Sequence, residues 1–306
     1  MNYREKILEL KKKKNAVIMT HYYNDDDLQD IADMVGDSLA LAKYAATTAA
    51  DIIVVCGVHF MGETAKILCP GKKVLVPDVS AGCSLADSCK ETDFKAFLRL
   101  YPGYKVISYV NTSTEIKALT DVVVTSSNAK QIVDSFDKDA KLIFGPDKNL
   151  GAYINKITGR NMVLWNGACH VHEKYSLAKL SEIKKQHPLA KVLVHPECKG
   201  EISDVADYVG STAGILKYPA TSPANEFIIV TESGILHELK KSYPDKTFIP
   251  LPVEEAPCNK CEYMRLNTME KLYNCLLNET PEITIEENIR KRAYAPIEKM
   301  LELSGK

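Results

Sequence analysis

Residues 121–129 read D-V-V-V-T-S-S-N-A, and this stretch has two counterparts, A-D-M-V-G-D-S-L-A at 32–40 and A-D-Y-V-G-S-T-A-G at 206–214. Each joins a short apolar run to a turn of small residues that opens a helical pattern. Ser38 to Ser126 is 88 residues and Ser126 to Thr212 is 86. A second landmark repeats these intervals: Gly57 to Gly145 is 88 and Gly145 to Thr231 is 86. Equal offsets at two independent landmarks indicate three related units of 86–88 residues.

Working outward, the first strand of each unit reads A-V-I-M-T (16–20), K-V-I-S-Y-V (105–110) and K-V-L-V (191–194). The third strands are I-I-V-V-C-G, K-L-I-F-G-P and F-I-I-V-T-E. The fourth are K-V-L-V-P-D, N-M-V-L-W-N and T-F-I-P-L-P. Short apolar strands alternating with helices predict an α/β protein with parallel sheets covered on both faces. The expected units are 1–86 with an N-terminal helix, 87–172 and 173–262. Residues 263–306 form C-terminal helices, with patterns at Leu266–Leu277 and Ile285–Leu303, that pack back on the body. No Pro/Gly/Ser linker separates the units, so they are expected to pack against one another.

Charge excludes several classes of function. With 39 Lys+Arg against 40 Asp+Glu, no overall field favours nucleic acid or an anionic membrane. The densest basic run, Lys11–Lys14, ends a helical pattern and reads as a solvated helix end. There is no apolar stretch of membrane length and no signal-peptide core in M-N-Y-R-E-K-I-L-E-L, so a cytosolic location is expected. Nine cysteines then need an explanation other than disulfides. Cys56 and Cys275 fall on apolar patterns and read as core fillers.

In every unit a cysteine follows the fourth strand: V-P-D-V-S-A-G-C83, V-L-W-N-G-A-C169 and L-P-V-E-E-A-P-C-N-K-C261. Cys83 to Cys169 is 86 residues and Cys169 to Cys261 is 92. Ligands of parallel sheets gather beyond the carboxyl ends of the strands. Three units with those ends turned inward would bring Cys83, Cys169 and Cys261 to one centre. The local cluster C169-H-V-H172 is a poorer single-ion site, because side chains alternate in an extended segment; His170 and His172 read as ordinary or supporting residues. Three thiolates suit either zinc with an open position or a [4Fe–4S] cluster with one iron free of protein, and an all-sulfur set favours the cluster.

Other strand ends supply a candidate substrate cavity. His21, Tyr23, Tyr109, Asn111, His195 and Glu197 follow first strands, and Ser38, Ser126 and Thr212 follow second strands at or next to helix starts. Hydroxyls and helix N-termini make anion sites with little need for Lys or Arg. His195 and Glu197, two apart on an extended segment, would face the same way as a proton-transfer pair. Tyr23 and Tyr109 read equally well as packing residues or as participants.

Taken together, H21-Y-Y-N, L28-Q-D-I-A-D-M-V-G-D-S-L-A-L-A, Y109-V-N-T, T125-S-S-N-A, F144-G-P-D-K-N-L-G, H195-P-E-C, D207-Y-V-G-S-T and C261-E-Y-M-R-L-N resemble the quinolinate synthase family, type A. The resemblance implies three α/β/α sandwich domains about a pseudo-three-fold axis and a [4Fe–4S] cluster on Cys83, Cys169 and Cys261. It implies a cytoplasmic transferase of NAD biosynthesis that condenses iminoaspartate with dihydroxyacetone phosphate and then cyclises and dehydrates the product, releasing phosphate. It carries substrate binding onto His21, Ser38, Tyr109, Asn111, Ser126, His195, Glu197 and Thr212, and catalysis onto Glu197, His195, Tyr23 and Tyr109. An enzyme supplying iminoaspartate is the expected transient partner. The alternatives are another cluster-dependent hydro-lyase acting on a hydroxy acid, or an iron–sulfur redox sensor, which leaves the three hydroxyls unexplained.

Overall fold

The computed structural model describes residues 2–305. It contains three four-stranded sheets, all parallel. The first holds β1 (Ala16–His21), β2 (Met34–Gly36), β3 (Ile52–Cys56) and β4 (Lys73–Leu75). The second holds β5 (Lys105–Tyr109), β6 (Val122–Val124), β7 (Leu142–Gly145) and β8 (Val163–Leu164). The third holds β9 (Lys191–Val194), β10 (Tyr208–Val209), β11 (Glu226–Val230) and β12 (Thr247–Pro250). Their spatial orders are β2-β1-β3-β4, β6-β5-β7-β8 and β10-β9-β11-β12, the same topology three times. The strand register repeats with it: Met19 pairs with Met34, Ile107 with Val122 and Leu193 with Tyr208. Helices flank the sheets, giving three α/β/α units. Strands such as β3 and β6 are buried along their whole length, as continuous apolar runs in parallel sheets should be.

One side-chain device recurs at the first strand–helix–strand crossing of each unit. Asp33 Oδ2 accepts from Ile18 N–H, Asp121 Oδ2 from Val106 N–H and Asp207 Oδ2 from Val192 N–H, each at 2.8 Å. The other oxygen of each takes a lysine: Lys11 at 2.7 Å, Lys105 at 2.9 Å and Lys191 at 2.7 Å. The carboxylate thus satisfies a backbone donor that the second strand is too short to reach.

The C-terminal helices pack on the first two units. Helix Met269–Asn278 buries Leu272, Cys275 and Leu276 against Ile7 of the N-terminal helix Tyr3–Lys13 and the first sheet. Helix Glu287–Leu303 buries Ala293, Ile297 and Met300 in a core shared by the first and second units. The third unit keeps separate cores on its two faces. Among the described residues, no helix is long and apolar enough to cross a membrane.

Candidate functional site

Where the carboxyl ends of the three sheets meet there is a cavity with an empty volume of about 690 Å³. His21, Tyr23, Ser38, Tyr109, Asn111, Ser126, His195, Glu197 and Thr212 all line it, as do Cys83, Cys169 and Cys261. Among the described residues, the lining contains no lysine or arginine. Every residue singled out in the sequence therefore reaches one chamber, although several get there by other local geometry than expected.

The three hydroxyls are not the helix caps. Asp37 Oδ1 accepts from Ala40 N–H at 3.0 Å, and Ser211 Oγ accepts from Gly214 N–H at 3.1 Å. The neighbours do the capping, which leaves Ser38 and Thr212 available to the cavity. Ser126 stands further off, because its helix begins only at Ala129. Its loop is held by Asn128 Oδ1, which accepts from Thr125 N–H at 2.6 Å, and by Ser127 Oγ, which donates to Asp37 Oδ2 at 2.5 Å. The helices after Ser126 and Ser211 have six residues each, so hydroxyls and turn N–H groups outweigh any dipole there.

His195 and Glu197 do not share an extended segment. The chain turns after β9, with Cys198 N–H donating to His195 O at 3.0 Å. The turn lets Glu197 N–H donate to His195 Nδ1 at 3.3 Å, and Tyr23 N–H donates to His21 Nδ1 at 3.2 Å in the same way. An accepting Nδ1 assigns the ring proton to Nε2 in the neutral form. Both rings are neutral at ordinary pH: burial lowers His21 to about 4 and His195 to about 3. His195 Nε2 lies 3.3 Å from Ser126 Oγ, tying the third unit to the second.

Glu197 is almost wholly buried. Burial by itself would raise its pKa, but His172 first and then the bond from Tyr109 oppose this, and the carboxyl stays below the usual range. Tyr109 Oη donates to Glu197 Oε1 at 2.5 Å. His172 Nδ1 sits 2.9 Å from Glu197 Oε2, at an angle too bent for a straight hydrogen bond. His172 Nε2 lies 3.0 Å from Thr231 Oγ1, which in turn lies 2.7 Å from Tyr23 Oη. Tyr23 Oη also meets Thr212 Oγ1 at 2.8 Å. A row of close contacts, hydrogen-bonded except between Glu197 and His172, therefore runs from Tyr109 through Glu197, His172 and Thr231 to Tyr23. Burial, followed by the Glu197 charge, keeps both tyrosines protonated well above 10.

The sequence gives His172 at most a supporting role; the structure places it against Glu197 and Thr231. Cys169 is the N-cap of the short helix His170–Glu173, so His172 returns to the cysteine's side one turn later. The i, i+3 spacing was the signal, and the assumption of an extended segment hid it. Thr231 was also missed as a site residue. Its signal lay in the landmark Gly57, Gly145, Thr231, where only the third unit carries a hydroxyl.

All three cysteines are partly buried. Burial pushes the Cys83 thiol up to about 12 and Cys261 to about 11, and Cys169 well above 9. Such thiols stay protonated unless a cation takes the place of the protons. Among the described residues, the set whose ligand atoms all lie within 4.8 Å of one another is Cys169, His172 and Glu197; the three sulfurs are not such a set.

The family pattern described as quinolinate synthetase A protein matches residues 5–302. Among curated relatives, a quinolinate synthase of Microcystis aeruginosa is 54% identical over 299 residues, 97% of this chain and 94% of its own. That of Chloroherpeton thalassium is 54% identical over 302 residues, 98% of this chain and 94% of its own. That of Prochlorococcus marinus is 50% identical over 301 residues, 98% and 90% respectively. With the match running through all three sheets and every wall of the cavity, the chain belongs to the quinolinate synthase family.

Proposed function

We propose that the chain is a quinolinate synthase, joining iminoaspartate to dihydroxyacetone phosphate and closing and dehydrating the product to quinolinate with release of phosphate. The observation that carries this reading is the convergence of one cysteine from each unit on a cavity lined by hydroxyls, neutral imidazoles and a buried carboxylate.

The donor set fits a [4Fe–4S] cluster. Zinc–sulfur bonds of ~2.3 Å in a tetrahedron would draw three sulfurs to about 3.8 Å apart. Sulfurs spread wider than the tight trio suit one iron each. Cys83, Cys169 and Cys261 would hold the cluster, whose iron without a cysteine supplies a Lewis acid for a substrate oxygen.

The chain's own groups account for the rest. A multiply anionic substrate meets Ser38, Ser126, Thr212 and Asn111, with the Nε2–H groups of His21 and His195 as further donors. Neutral donors suit phosphate that must leave, since they bind it without fixing a permanent cation beside it. Glu197, ionised and held by Tyr109, is the base that takes protons during ring closure. Thr231, His172 and Glu197 stand as hydroxyl, imidazole and carboxylate, an order that lets a proton pass along the row. Tyr23 at the far end is the donor towards a departing oxygen. Removal of bulk water from this chamber strengthens each of these interactions.

The test is purification without oxygen, followed by assay with both substrates. Iron and sulfide near four each, broad visible absorption and formation of quinolinate are expected. A colourless protein with one zinc would instead favour Cys169, His172 and Glu197 as a single-ion site and overturn the cluster.

A further inference from the structure

The surroundings of Cys261 tie the third unit to the first. Its N–H donates to Glu232 Oε1 at 3.0 Å. The other oxygen, Oε2, accepts from Gly234 N–H at 2.6 Å. Arg265, four residues after the cysteine, donates from Nη2 to Glu232 Oε1 at 2.9 Å and from Nη1 to Asp25 Oδ1 in the first unit. Glu232 is 0% exposed. Burial disfavours its charge, and the Arg265 guanidinium opposes that effect. The seam is close-packed here: a Cβ on Gly234 would stand 2.5 Å from Tyr22 O of the first unit. Gln29 Nε2 reaches across to Gly234 O at 3.0 Å.

We propose that Glu232 and Arg265 are positioning residues that latch Cys261 in place across the seam and so set how firmly the metal centre is retained. Neither lines the cavity, so the effect is indirect. The carboxylate fixes the backbone of the ligand, and the guanidinium fixes the carboxylate to both units. An ammonium is a point charge that does not reproduce this two-ended fork. The inference rests on the reading of Cys261 as a ligand of an iron–sulfur cluster.

The experiment loads parent and variants without oxygen, then follows loss of visible absorption in excess iron chelator. Arg265→Met should release iron ~10–100-fold faster than the parent, the range for loss of a group that orients a metal ligand. Arg265→Lys should recover only part of this. Asp25→Asn, which loosens only the outer half, should give a several-fold acceleration and decides the matter if Arg265→Met does not fold. Lys241→Met removes a different charge at the same seam, its contact with Asp30 at 3.4 Å, and should release iron at the parental rate. A purely structural latch would lower the melting temperature of the metal-free variants and leave release unchanged; that result overturns the proposal. A parent that never takes up a cluster overturns the cluster reading itself, and the latch with it.

Discussion

The crossings behind the sheets and the cavity at their mouths are drawn from the same repeat, yet they treat it in opposite ways. At the crossings, Asp33, Asp121 and Asp207 make the same bonds three times. In the cavity, equivalent positions separated by the same 88 and 86 residues carry His21, Tyr109 and His195, then Tyr23, Asn111 and Glu197, then Gly57, Gly145 and Thr231. Backbone closure poses the same problem in each unit and keeps one solution. Under the proposed reading a proton has to travel from one group to a different one, which a symmetric set of groups cannot arrange. Only the second unit has a tyrosine where the others have histidine, and that tyrosine holds the third unit's glutamate.

The sharpest break is at the cysteines, where the repeat still holds. Cys83→Ser, Cys169→Ser and Cys261→Ser should each abolish the cluster and activity, checked by iron content beside an unchanged far-ultraviolet circular dichroism. Cys56→Ala, Cys89→Ala and Cys275→Ala should retain both, since these three are buried in the cores. If Cys258→Ser loses the cluster and Cys261→Ser keeps it, the third ligand is misassigned.

Next in size is the asymmetric glutamate. Glu197→Gln keeps the shape but removes the base, and single-turnover rates should fall about 10²–10⁴-fold while the cluster stays. Ser126→Ala should weaken phosphate binding more than it slows the bound complex. Turnover of Glu197→Gln at the parental rate under saturation would remove proton transfer from Glu197 and leave it with binding alone.

A pH scan separates the two histidine-bearing units from the tyrosine-bearing one. His21 and His195 are lowered by burial to about 4 and about 3, so the unfolded chain binds more protons than the native one below its own pKa of about 6.5. Their contribution is fully present above that value. It declines as pH falls towards the folded values, by about 1.4 kcal/mol per unit for each histidine. The double variant His21→Gln, His195→Gln should show a flatter fall of melting temperature between pH 6.5 and pH 4 than the parent. Parallel curves would mean that both rings are already charged in the folded protein.

The smallest effect belongs to the crossings. Asp33→Ala, Asp121→Ala and Asp207→Ala should each cost about 1–3 kcal/mol, because each leaves a strand N–H unpaired. Denaturant midpoints should shift by similar amounts with bound-state kinetics unaltered. A clearly unequal series would show that the crossings are less alike than their bonds suggest.

The chain itself determined the repeat, and with it the fold class, the strand ends and the cysteines, because strand period, spacing and apolar runs are local properties that survive without coordinates. It also brought the candidate residues to the cavity. It did not determine how they turn there. The short helix after Cys169 brought His172 round to Glu197, and the turn after β9 placed His195 Nδ1 under Glu197 N–H. Asp37 and Ser211 took the capping bonds that leave Ser38 and Thr212 free. The row from Tyr109 to Tyr23 draws on all three units, with Thr231 between His172 and Tyr23. Such contacts depend on the angles at which separate units meet, and those angles are fixed by packing across seams that no single segment contains.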